Sequence, residues 1–102
     1  MSDELQSDHF LVLLALVLRP EVSQKQEIAR LVHPYIRSPK TVSLKLAQLE
    51  DRGYVISTQI GRRVVYKVKR TGQTALTAWR KSDVGKEFGG SWAEHIQEKE
   101  LE

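Results

Sequence analysis

The chain has 102 residues, with 16 Lys or Arg against 13 Asp or Glu and no cysteine. That length fits one domain with a modest core. The missing thiols exclude disulfides, thiol catalysis and cysteine-bound zinc or iron–sulfur centres, and the scattered His9, His33 and His95 have no metal-site spacing. The net charge of +3 is unevenly spread. Residues 1–18 hold three acids and no Lys or Arg; residues 19–81 hold 14 Lys or Arg against four acids; residues 82–102 hold two lysines against six acids. A basic middle between acidic ends points to a polyanion as partner.

The first element is the run Phe10–Leu18, apolar on every side. Periodicity alone leaves helix and strand open, but the Leu and Ala content and Ser7 or Asp8 as N-cap favour a helix that stops before Arg19-Pro20. Nine apolar residues are too few for a membrane span of about 20. No basic stretch precedes them, so a signal peptide is not expected, and the expected location is cytoplasmic. Such a helix is either central to the fold or meets a second protomer on one side.

Ser23-Gln24-Lys25-Gln26 fits a capping box that opens a second helix ending at Val32, with Ile28, Leu31 and Val32 inward and Pro34 as the stop. After the connector His33–Arg37, Ser38-Pro39 reads as N-cap and first residue of a third helix running to Arg52. Val42, Leu46 and Leu49 share its inner face, and Gly53 supplies the left-handed residue after it. Val55–Ile60 and Val64–Val68 read as strands of a hairpin with Gly61-Arg62-Arg63 at its tip. A fourth helix is expected over residues 72–81, with Ala75, Leu76 and Trp79 inward. Residues 83–90, with three glycines, read as a loop or hinge, and Ser91-Trp92-Ala93-Glu94 as a capping box for a short last helix. The fold class is mainly α with a small antiparallel hairpin, in the order α-α-α-β-β-α-α. The terminal Leu101-Glu102 has the form of a cloning remnant and carries no functional weight.

A helix pair followed by a basic hairpin suits duplex DNA, since a helix fits the major groove and a basic loop reaches the next groove or the backbone. Three sets of residues carry a family resemblance: Ser38-Pro39-Lys40-Thr41-Val42-Ser43; Leu46-x-x-Leu49-Glu50-Asp51-Arg52-Gly53-Tyr54-Val55; and Gly61-Arg62-Arg63 followed by Tyr66-Lys67-Val68, then Thr71-Gly72-Gln73. In this order they resemble the winged helix-turn-helix transcriptional regulators of the MarR/PadR-like kind, firmly over about half the chain. The resemblance implies a DNA-binding domain, placed at residues 1–81; the large apolar surface at both ends of so short a chain points to a homodimer, with residues 82–102 as hinge and dimerisation helix. Two features depart from the pattern. The connector of residues 33–37 is longer than the usual tight turn. Leu44 stands where a polar or basic reader is common; it suits either a thymine methyl or a protein partner.

Expected DNA contacts are Arg37, Ser38, Lys40, Thr41, Ser43, Leu44, Lys45 and Gln48 around the third helix, with Arg62, Arg63, Lys67 and Lys69 on and beside the hairpin. Tyr66 is expected to pack rather than stack on a base. The expected dimer surface is Phe10, Leu11, Leu14, Val17, Trp79, Phe88, Trp92 and Ile96, the alternative being that the aromatics complete the monomer core; room for a small-molecule effector among them is left open. Lacking a Gly-rich phosphate loop, a nucleophile–base set or a convergent carboxylate pair, the chain is not expected to be an enzyme, and no cofactor is expected. A winged-helix protein-interaction module without DNA binding is the alternative.

Overall fold

Helix α1 (Ser7–Leu18) is the hub of the structure, a computed structural model that describes residues 5–100. The helix has no polar side because it needs none. It packs against helices α2 (Lys25–Val32), α3 (Pro39–Asp51), α4 (Arg70–Lys81) and α5 (Asp83–Glu98), and against strand β2 (Arg63–Val68) of the hairpin that begins with β1 (Val55–Ile60). Leu11 to Ala15 are completely buried. Each such leucine contributes about 1.5–3 kcal/mol of apolar burial, which is why this segment organises the core. Leu101-Glu102 lies outside the described residues. Among the described residues no helix is long and apolar enough to cross a membrane.

The third helix and the turn after it form as the residue types dictate. Ser38 is the N-cap and Pro39 the first helical residue. At the other end Gly53 takes φ 77°. Its amide donates to Glu50 O at 2.9 Å, and that of Tyr54 donates to Leu49 O at 3.0 Å, the paired bonds of a Schellman motif. The hairpin is antiparallel with Val55 opposite Val68 and Ile60 opposite Arg63. Only Gly61 and Arg62 remain for the turn. Gly61 has φ 63° and Arg62 does not have a positive φ, the pattern of a type II′ turn.

Several boundaries differ from expectation for local reasons. Gln6, not Ser7 or Asp8, is the N-cap of α1, and its amide donates to His9 Nδ1 at 2.9 Å. Ser23 does not cap α2, because its carbonyl accepts from the Tyr66 amide at 2.9 Å and Gln24 forms a bridge with Val65. The segment before α2 is thereby held extended beside β2, and Gln24 becomes the N-cap. Arg63 belongs to β2 rather than to the turn. α4 begins two residues early, at Arg70.

The largest correction concerns residues 83–90. They are the first half of α5, a continuous 16-residue helix, and not a hinge. Ser82 is the whole link between α4 and α5. Its Oγ donates to Trp79 O at 2.5 Å and accepts from the Gly85 amide at 3.1 Å, so one hydroxyl serves both helix ends. Ser91 opens nothing; its Oγ donates back to Phe88 O within the helix. At the far end of α5, Arg19 Nη1 donates to Ile96 O at 3.0 Å and to Lys99 O at 2.9 Å. A cation at free C-terminal carbonyls is favourable, and it ties α5 to the end of α1.

Candidate nucleic-acid interface

Helix α3 buries Val42, Leu46 and Leu49 completely, which orients the rest of it. Lys40, Leu44, Ala47 and Asp51 form the exposed stripe, while Thr41, Ser43 and Gln48 are half-buried beside it. Arg37, Ser38 and Lys40 gather, exposed, at its N-terminal end. Pro39 has no N–H and the Thr41 amide donates to Ser38 O at 3.1 Å, so it is mainly the Lys40 amide and the helix dipole that add to the attraction for an anion there.

Lys45 is not on the outer surface. It is only 8% exposed, and its Nζ donates to Gln6 Oε1 at 2.8 Å. The pitch of the helix turns Lys45 toward the start of α1, beside Leu46 and Leu49. Gln48 is drawn the same way: its Oε1 lies 2.6 Å from His9 Nε2. In the sequence both read as groove-facing because their side chains are polar. The sign of their inward role was His9 at the foot of α1, a polar group needing partners once buried.

His9 is 4% exposed and fully partnered. Its Nδ1 accepts from the Gln6 amide, so the ring proton sits on Nε2 and is donated to Gln48. Adding a second proton would set an N–H against an N–H. Burial, and then the positive charges of Lys45 and Arg52, hold His9 below the ordinary histidine value despite the Gln48 bond. The neutral ring is therefore the native form. Its contribution to stability is complete above about pH 6.5, the unfolded value, and is lost as pH falls toward the folded one. Urea unfolding at pH 7.5 and 5.5 should show a loss of stability on acidification, smaller in His9→Gln. Equal pH dependence in both proteins would contradict the assignment.

The hairpin has two unlike faces. Val55, Val68 and Tyr66 turn toward the core. Half-burial, with the Glu50 carboxylate nearby, pushes the Tyr66 hydroxyl above its usual pKa, as suits a packing aromatic. The opposite face pairs Ile56 with Lys67 and Ile60 with Arg63, all four exposed. Glu50 at the end of α3 accepts from Ser57 Oγ at 2.7 Å and from the Ser57 amide at 3.3 Å. This anchors the hairpin four residues short of Gly61. Arg62 lies at the tip, Arg63 and Lys67 along one face, and Lys69 at the base as the N-cap of α4. Lys69 is exposed but apart from the tip group. Arg37, Lys40, Arg62, Arg63 and Lys67 have no carboxylate partner among the described residues.

The aromatic side chains mostly fill the monomer. Phe10, Trp79, Trp92 and Phe88 stack in sequence, with centroids 5.1, 5.5 and 5.4 Å apart. Leu11, Leu14 and Ile96 are fully buried, and Trp79 and Trp92 are each 8% exposed. These five are core residues and present little or nothing to a partner, because α1 is enclosed by four helices and a strand. Phe10 and Val17 are half-buried against the same core. Phe88 is 38% exposed at the edge of the stack, with Val84 one turn away and Tyr35 resting on Trp92 and His95. The rings pack on one another where the sequence leaves room for an effector pocket. An open depression elsewhere is lined by Arg70, Gln73, Thr74, Thr77, Ala78 and Lys81, and by no aromatic side chain.

Comparison with known protein families, curated proteins and solved structures found no match.

Proposed function

We propose that the chain is a winged helix-turn-helix protein that binds double-stranded DNA sequence-specifically, as a homodimeric transcriptional regulator of the cytoplasm. Repression is its simplest mode, since occupancy alone blocks a promoter. The carrying observation is the exposed set Arg37, Lys40, Arg62, Arg63 and Lys67, without carboxylate partners among the described residues and divided between the start of α3 and the hairpin. Phosphate neutralisation supplies most non-specific affinity for DNA, and such a set is suited to it. α3 is the element offered to the major groove, and Arg62 with Arg63 to the minor groove or backbone. Lys45 has no place in this contact, and Gln48 only a reduced one.

The dimer is supported by the apolar edge that exposed Tyr35 and Val84 form beside Phe88, the exposed end of the aromatic stack. A second reading, a winged-helix module that docks on protein alone, is favoured by the exposed Ile56 and Ile60. Selection of bound duplexes from a random pool separates the two. The DNA reading expects a recovered palindrome with half-sites about one helical turn apart or a multiple of it. No enrichment over the starting pool would reject it and leave the protein-docking module.

A further inference from the structure

Helix α3 offers DNA a surface poor in hydrogen-bonding readers. Its exposed stripe is Lys40, Leu44, Ala47 and Asp51. The helix contains no Arg or Asn, and its single glutamine, Gln48, is bonded to His9. Lys45 is bonded to Gln6. Apart from Lys40 at the N-terminal end, the side chains that grip guanine or adenine by two hydrogen bonds are therefore missing from the outer face. At its centre stands Leu44, 54% exposed, with the methyl of Ala47 one turn on. The C-terminal end carries Glu50 and Asp51, which phosphates repel. The N-terminal half, with Arg37, Ser38 and Lys40, is thus the end that enters the groove, and Leu44 is the residue it carries deepest.

Resting on the DNA-binding reading, we infer that this chain selects its site through thymine C5-methyl groups, with Leu44 as the specificity-determining side chain and Ala47 beside it. The thymine methyl is the apolar group of the major groove, and leucine in contact with it excludes water from both. Lys40 and Ser43 hold register on phosphate and base edge but do not set the preference. Half-sites should accordingly contain thymine at one or two fixed positions. There the loss of a methyl group matters more than the hydrogen-bonding pattern.

The test uses the full chain and two random duplex pools, one built with thymidine and one with deoxyuridine in its place. Deoxyuridine keeps every hydrogen-bonding group and lacks only the methyl. Retention of the thymidine pool in preference to the deoxyuridine pool is expected. Deoxyuridine placed singly in a recovered duplex should weaken binding roughly three- to fivefold at each contacted position, the worth of one buried methyl. Leu44→Ala, an exposed change that leaves the core intact, should bind both forms of that duplex alike. Equal retention of the two pools by the wild-type chain would overturn the inference while leaving DNA binding intact. A Leu44→Ala protein with undiminished thymine preference would also overturn it. Retention of neither pool would overturn the DNA reading, and the inference with it.

Discussion

Replacing Gly85 by alanine should destabilise the fold by about 3 kcal/mol or more, enough to leave much of a small domain unfolded. α4 turns into α5 over the single residue Ser82, which brings the first turn of α5 onto the last of α4. A β-carbon at Gly85 would lie on the Trp79 carbonyl oxygen, with the carbonyl carbon 2.6 Å and Arg80 Cα 2.8 Å away. These are backbone atoms and cannot step aside like a side chain. The Trp79 carbonyl is also the acceptor for the Ser82 amide and hydroxyl, so the corner must open for the methyl to fit. Opening it would separate Trp79 from Trp92 in the aromatic stack. Gly90, in the same helix, is the control. Nothing lies within 4 Å of a β-carbon there. Gly90→Ala should raise stability by about 0.5–1 kcal/mol, because alanine restricts the unfolded chain more than glycine. Urea denaturation followed by circular dichroism measures both. If residues 83–90 were a flexible hinge, the two variants would behave alike, and that result would contradict the packed corner.

The double variant Arg62→Ala/Arg63→Ala should lose more DNA affinity than any other surface change, and lose it across sequences rather than at one. Both side chains are exposed beyond the Ser57 anchor, where the hairpin makes no contribution to the core. Their removal should therefore leave the unfolding midpoint nearly unchanged. Each arginine that neutralises a phosphate releases a counterion, so losing two should make the slope of log affinity against log salt shallower by about 1.8. Leu44→Ala, by contrast, should leave that slope unchanged and alter only which duplexes are preferred. Competition titrations at several salt concentrations distinguish these effects. An unchanged slope in the double variant would remove the hairpin from the interface.

Much of the architecture was legible because its signals are local. Ser38-Pro39 starts α3 whatever surrounds it, and Gly53 and Gly61 occupy backbone conformations that other residues resist. The β-branched runs on either side of Gly61 and Arg62 pair as expected. What was not legible depended on distant contacts. Gly85 reads as a flexible residue in sequence, yet in the fold it permits a close approach to Trp79. Lys45 and Gln48 read as surface because they are polar. Their partners Gln6 and His9 lie 39 residues away in sequence, and the spacing within α3 carries no trace of them. Phe10–Leu18 signalled an unusual demand for burial, and the two ways of meeting it, a central position or a partner chain, look identical in one dimension. The structure meets it centrally, which reduces the exposed part of the expected dimer surface to Phe88 and portions of Phe10 and Val17.

Binding of duplex DNA by the full chain, titrated across a range of monovalent salt, tests the central claim most directly. The five exposed cations of the proposed interface, Arg37, Lys40, Arg62, Arg63 and Lys67, predict a slope of log affinity against log salt of about −4 or steeper per protomer. A slope near zero, or no binding at low salt, would contradict the account and leave the exposed isoleucines of the hairpin as the mark of a protein partner.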